Sequence, residues 1–185
     1  MPATIFGLPT HVLVIHAVVV LLPAAAVASA LVAAWPAMRR RIGVLTLVFT
    51  FVATLTVPVA TQSGEGLQAL LPATPLIDNH VRLGHQLIPV AALLGLALAA
   101  VVGLDVYRRA IEGPAAPVSS TDLERWTVAQ VAARTGTGPV PGWLRPVVLV
   151  AAGVVVVMAL GSVVQVVRIG HSGAQATWTG RVPPP

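Results

Sequence analysis

Histidine is the residue type in this sequence best suited to chemistry, because imidazole binds metals and exchanges protons near neutral pH. His11 and His16 stand five residues apart near the start of one apolar run, and His80 and His85 repeat that spacing near the start of another. Five residues correspond to about 140° around an α-helix, so neither pair chelates one ion from a single helix face. The spacing therefore predicts a site that takes one histidine from each of two helices.

The deeper member of each pair, His16 or His85, is the predicted ligand, because a polar side chain inside a membrane span is costly and marks a functional candidate. Two imidazoles at equal depth on diagonal helices of a bundle suit the iron of a b-type haem, and Arg82 or Arg168 would meet its propionates. Electron transfer would be the corresponding function.

A less favoured alternative is a copper or zinc site, whose candidate ligands are His11, His80, His171 and Glu65. A cofactor-free structural or assembly subunit, in which the histidines only hydrogen-bond the loops, is the competing hypothesis.

The composition places these histidines in a membrane protein. Hydrophobic residues make up 56% of the 185 residues, charged residues only 9%, and the mean hydropathy is +0.88. These values lie far outside the usual range of soluble domains. The absence of cysteine excludes disulfides, thiolate metal sites and cysteine-held iron–sulfur clusters. No hydrolase or nucleotide-binding motif occurs, so any enzyme activity is limited to a redox carrier.

Four apolar stretches are long enough to cross a bilayer, which needs about 20 helical residues. They predict an all-α integral membrane four-helix bundle with up-down-up-down topology, forming one domain over residues 1–185. The spans are expected at about residues 12–35, 42–60, 84–104 and 146–167. Pro23 lies inside the first span and predicts a kink, whereas Pro89 and Pro146 are expected in the first turns of their helices.

Arginine placement predicts the orientation, because positive charge in short loops stays on the cytoplasmic side. Eight of the eleven arginines fall between spans one and two or between spans three and four, and three fall on the other side. We therefore expect a cell-membrane protein with both termini extracytoplasmic, the 108–145 loop inside and all five histidines outside. The bilayer is the expected partner, together with a redox partner or the subunits of a membrane complex. Topology accounts for the net charge of +5 without a nucleic-acid partner.

Two short helices are predicted in the loops. On the outer side, a turn at residues 64–66 followed by leucines at helical spacing predicts an amphipathic helix that roofs the histidines: Leu67, Leu70 and Leu71. On the cytoplasmic side, Ser120-Thr121-Asp122-Leu123-Glu124 has the residues of a helix start and predicts an interfacial helix over the bundle ends. Gly170 and Gly173 predict a turn directly after span four.

Four segments together resemble the DUF2231 family of predicted four-helix membrane proteins. They are THVLVIHAVVVLLP, VATQSGEGL, TPLIDNHVRLGHQLIP and GHSGA, and the resemblance covers nearly the whole chain except residues 110–145 and the C-terminal end. The family has no assigned activity. Its similarity to two-haem b-type cytochrome bundles, and the fusion of some members to Rieske domains, imply a redox setting. This chain has no Rieske part, and it carries His16 and Ala17 where the family has His-Phe-Pro.

Overall fold

The computed structural model describes residues 4–5, 7–112 and 140–180. Their architecture is all-α, with four long helices: α1 Thr10–Ala34, α2 Pro36–Gln68, α3 Pro75–Glu112 and α4 Leu144–Trp178. Each of these helices is long and apolar enough to span a membrane. Ahead of α1, two short strands pair antiparallel, β1 Thr4–Ile5 with β2 Leu8–Pro9. The predicted membrane four-helix bundle is therefore confirmed.

The helices form a closed ring in which each one packs against two neighbours. Helix α1 packs on α2 and α4, and α3 packs on the same two helices, while α1 and α3 face each other across the bundle with little contact. In this up-down order the starts of α1 and α3 and the end of α4 lie at one end of the bundle. All five histidines lie there, and we call it the histidine end.

Alanine, valine and leucine side chains fill most of the interior, and outward-facing valines, leucines and aromatic residues form the surface that lipid would cover. Polar links join neighbouring helices inside this core. The hydroxyls of Ser29 on α1 and Thr50 on α2 lie 2.9 Å apart, and the Gln165 amide of α4 donates to the Leu83 carbonyl of α3 at 2.9 Å. These links hold neighbouring helices in register, because an unpaired polar group inside a membrane bundle is costly.

The opposite end of the bundle, which we call the arginine end, carries a buried charge cluster between α2 and α3. Asp105 lies 3.0 Å from Nη2 of Arg109 and 3.8 Å from Nε of Arg39. The Arg39 side chain is 7% exposed. One carboxylate therefore neutralises a guanidinium that is fixed inside the bundle.

The connection between α1 and α2 is shorter than the sequence predicted. Only Trp35 separates the two helices, so Arg39, Arg40 and Arg41 lie in the opening turns of α2 and not in a loop. Pro36 explains the break, because proline disfavours helical backbone in the residue before it and suits a first helical position. Trp35 is accordingly extended, with φ −117° and ψ 100°.

The predicted roof helix over the histidines is wrong. Helix α2 runs through Gly64 and Gly66 as far as Gln68, so no turn occurs there. Leu70 and Leu71 follow the helix in a short connection and are exposed. A glycine costs a helix only about 1 kcal/mol relative to alanine, which packing against the neighbouring helices offsets.

Other helix ends also lie beyond the predicted spans. Helix α3 begins at Pro75, which makes Pro89 an interior residue and not one of the first turn, whereas Pro146 does lie in the first turn of α4. Helix α4 continues through Gly170 and Gly173 to Trp178, so the predicted turn is absent. Helix α1 is continuous through Pro23. The interfacial helix predicted from Ser120 lies outside the described residues.

Candidate ligand site at the histidine end

The two histidines that meet inside the bundle are His11 of α1 and His80 of α3. Their ring centroids lie 6.4 Å apart and the ring planes are nearly perpendicular, at 84°. Both side chains are half-buried. Because α1 and α3 are diagonal, this contact crosses the bundle axis. The structure thus brings together the shallower histidine of each pair.

His11 is anchored to α2. Its Nδ1 lies 3.0 Å from the carbonyl oxygen of Ala60 and 3.3 Å from the hydroxyl of Ser63. A carbonyl only accepts, so Nδ1 carries the proton and donates. The Ser63 hydroxyl itself donates to the Ala60 carbonyl at 2.8 Å, which leaves the Ser63 oxygen as a second acceptor for His11.

His80 is anchored to α4 in the same way. Its Nδ1 lies 3.0 Å from the hydroxyl oxygen of Ser172, and that hydroxyl donates to the Ile169 carbonyl at 2.9 Å. The Ser172 proton is therefore already used, and its oxygen accepts the proton on Nδ1 of His80.

These bonds fix the same tautomer in both rings. With the proton on Nδ1, the neutral imidazole presents a free lone pair at Nε2. No hydrogen bond joins Nε2 of His11 or His80 to another described residue. A histidine that donates through one nitrogen to a protein oxygen while its other nitrogen is free has the arrangement found in metal-ligating histidines.

Two glycines make room for the rings. A Cβ on Gly64 of α2 would lie 3.0 Å from Cε1 of His11, and a Cβ on Gly173 of α4 would lie 3.0 Å from Cε1 of His80. That distance is shorter than ordinary side-chain contacts, so even alanine would displace either ring. Glycine at these two positions lets each imidazole lie directly against the neighbouring helix backbone.

A cavity of about 690 Å³ opens beside the two rings. All four helices contribute to it, and its inner wall is apolar, including Val18, Val57 and Leu87. Polar groups other than the imidazoles lie toward the helix ends: Thr61, Glu65, Gln68, Thr74 and Thr177. Within the described residues no arginine lines the cavity. A largely apolar cavity of this size with a few polar groups is typical of cofactor and small-molecule sites.

The sequence predicted His16 and His85 as the inward pair, but both are exposed on the outside of the bundle. Nδ1 of His16 donates to the carbonyl of Val12 in its own helix. Nε2 of His85 lies 3.1 Å from the carboxylate of Glu65 on α2, and both side chains are about half exposed. The two rings are not placed to hold a haem between them, because a helix that turns His11 or His80 inward turns a residue five positions later away.

The remaining predicted site residues do not join the pair. Arg82 and Arg168 are exposed and bond nearby side chains of their own helices, Asn79 at 2.9 Å and Gln165 at 3.4 Å. His171 is exposed on α4. Glu65 lines the cavity but pairs with His85. Across residues 7–112 and 140–180, no three histidine, aspartate or glutamate side chains lie close enough together to hold one metal ion.

Sequence reasoning missed the two Ser-Gly pairs that seat the rings. The turns predicted at residues 64–66 and at Gly170 and Gly173 fall on these pairs, although both pairs are helical. The signal was present in the sequence, because HVLVIH and HVRLGH each lie near the start of a helix and QSGEG and HSGAQ each lie near the end of the next one. Comparison of the chain with protein-family models, curated proteins and solved structures gives no match.

Proposed function

We propose that this membrane protein binds haem b through Nε2 of His11 and Nε2 of His80 and takes part in electron transfer. The observation that carries the proposal is the pair of half-buried imidazoles on diagonal helices, each with Nδ1 bonded and Nε2 free. The redox setting implied by the resemblance to the DUF2231 family agrees with it. The ligands differ from those expected from depth alone, which were His16 and His85.

The separation of the rings supports one shared metal. Two imidazoles that bind opposite sides of an ion through nitrogens at about 2.0 Å place their ring centres roughly 6 Å apart. The centroids of His11 and His80 lie 6.4 Å apart. A copper or zinc ion would need further ligands, and the described residues offer no third histidine or carboxylate in the cluster. Haem would need only two ligands from the protein, because its porphyrin supplies four nitrogens, and His11 and His80 would be those two.

The cavity has the size and polarity that a haem requires. Its volume of about 690 Å³ lies within the range of cofactor sites, and its inner wall is apolar. Gln68, Thr74 and Thr177 lie toward the helix ends and would be the hydrogen-bonding groups available to propionates, while the Glu65 carboxylate at the same end pairs with His85. Bound haem would supply one-electron chemistry, and the bundle would set its exposure and potential.

The arginine distribution supports an orientation for this site. Arginine residues in the opening turns of α2 favour a cytoplasmic location for the arginine end. The histidine end and both termini would then lie outside the cell membrane. We propose that the redox partner, or a subunit of a membrane complex, approaches the protein from that side.

Visible absorption of the purified protein tests the proposal. We expect a Soret band and a sharp α-band on reduction, and we expect His11→Ala or His80→Ala to abolish both. His16→Ala and His85→Ala are the matched controls, because each removes a histidine from the same helix but from its outer face, and they should leave the spectrum in place. Loss of the bands in the controls and their retention in the inner variants would overturn the assignment.

A cofactor-free structural role is the second candidate, favoured by the hydrogen bonds from His11 to α2 and from His80 to α4. These bonds join consecutive helices at their ends, and they would stabilise the bundle without any ligand. In that case the purified protein, reconstituted with haem, would show no bound chromophore and no metal by elemental analysis. His11→Ala would then only lower the unfolding temperature, because it removes the hydrogen bond from His11 to α2, which is worth about 1 kcal/mol.

A further inference from the structure

The hairpin of α1 and α2 and the hairpin of α3 and α4 repeat one arrangement. His11 bonds the hydroxyl of Ser63 and lies against Gly64, and His80 bonds the hydroxyl of Ser172 and lies against Gly173. Each serine hydroxyl donates to the carbonyl three residues earlier in its own helix. Both imidazole anchors therefore consist of the same groups in the same order.

The correspondence extends over the cavity. When α1 is aligned with α3 so that His11 matches His80, Val12 matches Val81 and Val18 matches Leu87. All of these residues line the cavity. When α2 is aligned with α4 so that Ser63 matches Ser172, Gln68 matches Thr177. Gln68 and Thr177 both line the cavity. Facing positions thus match in pairs on opposite sides of the bundle axis.

The core follows the same relation. The alignment of α2 with α4 matches the buried Val57 with the buried Val166, and the buried Thr50 with the buried Ala159. The alignment of α1 with α3 matches Leu22 with Ala91, which are both fully buried. The two hairpins therefore present equivalent faces to the interior, as expected of a parallel repeat about an axis along the membrane normal.

The outer histidines break this symmetry. His85 pairs with Glu65, but the position that corresponds to Glu65 on α4 is Ala174, and His16 bonds the Val12 carbonyl instead. The repeat thus holds at the inner histidines and at their serine and glycine partners, and it fails at Glu65 and at the outer histidines. A ligand on the axis would contact both hairpins alike at the positions where the repeat holds.

We infer that the chain holds two copies of one half-site, related by a two-fold pseudo-axis between His11 and His80, and that Ser63 and Ser172 are equivalent positioning residues. This inference rests on the proposed function for its ligand. Each serine oxygen accepts a hydrogen bond from Nδ1 of its histidine, which orients the ring and leaves Nε2 unprotonated. At His11 the Ala60 carbonyl accepts from the same Nδ1. Such outer partners of a ligating histidine are typically worth about 10- to 100-fold in metal affinity.

Serine-to-alanine variants of the full-length protein test the inference by two independent measurements. In protein reconstituted with haem, Ser63→Ala and Ser172→Ala should each weaken haem affinity by about tenfold. Each should also raise the midpoint potential, because a weaker hydrogen bond at Nδ1 makes Nε2 a poorer electron donor to the iron. Ser162→Ala is the control, because that buried hydroxyl bonds only the Met158 carbonyl of its own helix. Ser→Thr at either position should restore both values.

The second measurement needs no cofactor. Nitrogen-15 NMR of the haem-free protein should show the Nδ1–H form of both inner histidines. Ser172→Ala should shift His80 toward a mixture of tautomers, whereas Ser63→Ala should change the Nδ1 signal of His11 but not its tautomer, because the Ala60 carbonyl still accepts from Nδ1. An unchanged His80 tautomer in Ser172→Ala, or the same change in Ser162→Ala, would overturn the inference. Tautomer shifts without any haem binding would support the half-sites and reject the proposed function, so the two failures are distinguishable.

Discussion

At the scale of single residues, the orientation of a histidine decides its role more than its depth does. His16 lies further into the first span than His11, but it faces outward and bonds a carbonyl of its own helix. His11 lies nearer the helix start and faces the axis. The residues that admit it are Ser63, through a hydrogen bond, and Gly64, through the absence of a side chain.

Gly64 provides a prediction at this scale. Gly64→Ala adds helix propensity but brings a Cβ within 3.0 Å of His11, so the ring must move and its bonds to α2 weaken. We expect no net gain in unfolding temperature and a loss of the haem spectrum. Gly66→Ala is the control in the same helix, because its Cβ meets nothing within 4 Å. It should stabilise the protein by roughly 0.5–1 kcal/mol. Equal stabilisation by both changes would contradict the close seating of His11.

At the scale of the elements, polar pairs join α2 to α3 at both ends, but their surroundings differ. Asp105 is buried and contacts both Arg39 and Arg109 at the arginine end. Glu65 and His85 form a pair at the histidine end with both side chains about half exposed. Removal of one partner from a buried pair leaves an uncompensated charge, whereas an exposed pair is screened.

Asp105→Asn should therefore destabilise the bundle far more than Glu65→Gln. We expect a loss of about 3–5 kcal/mol for the buried change, because the Arg39 guanidinium remains inside without its carboxylate. The exposed change should cost less than about 1 kcal/mol. Unfolding in detergent, followed by far-ultraviolet circular dichroism, compares the two. A larger loss of stability in Glu65→Gln than in Asp105→Asn would refute the conclusion that the Arg39 cluster stabilises the contact between α2 and α3 more than the Glu65–His85 pair does.

At the scale of the whole molecule, two hairpins of like design build one bundle with chemically different ends. The histidines lie at one end, with the serines and glycines that contact His11 and His80, and most of the arginines of the described residues lie at the other. The outward surface of the helices between them is apolar. Such a distribution supports insertion in one direction only, because positive charge resists translocation.

Cysteine accessibility tests this orientation. The chain has no native cysteine, so Thr179→Cys at the histidine end and Ala37→Cys at the arginine end are single labels at exposed positions. In intact cells we expect an impermeant maleimide to react with Thr179→Cys, and with Ala37→Cys only after permeabilisation. The reverse pattern would place the histidine end in the cytoplasm and contradict the proposed orientation.

The sequence by itself determined the class of the protein and the elements of its site. Four apolar runs of sufficient length required helices, because only internally bonded backbone is stable in lipid. Consecutive spans that cross the membrane in alternate directions implied an up-down bundle, which brings the starts of α1 and α3 to one end. The repeated five-residue spacing of the histidines also predicted one inward histidine from each of two helices, and the structure turns His11 and His80 inward where the sequence favoured His16 and His85.

Only the tertiary structure decided which histidine of each pair faces inward. Two residues about 140° apart on a helix cannot both face the axis, and the rotation of the helix selects between them. In α1 and α3 that rotation is set by packing against other helices, where Gly64 and Gly173 admit the rings of His11 and His80. Those contacts join residues far apart in the chain, so hydropathy and depth along a single span do not predict them.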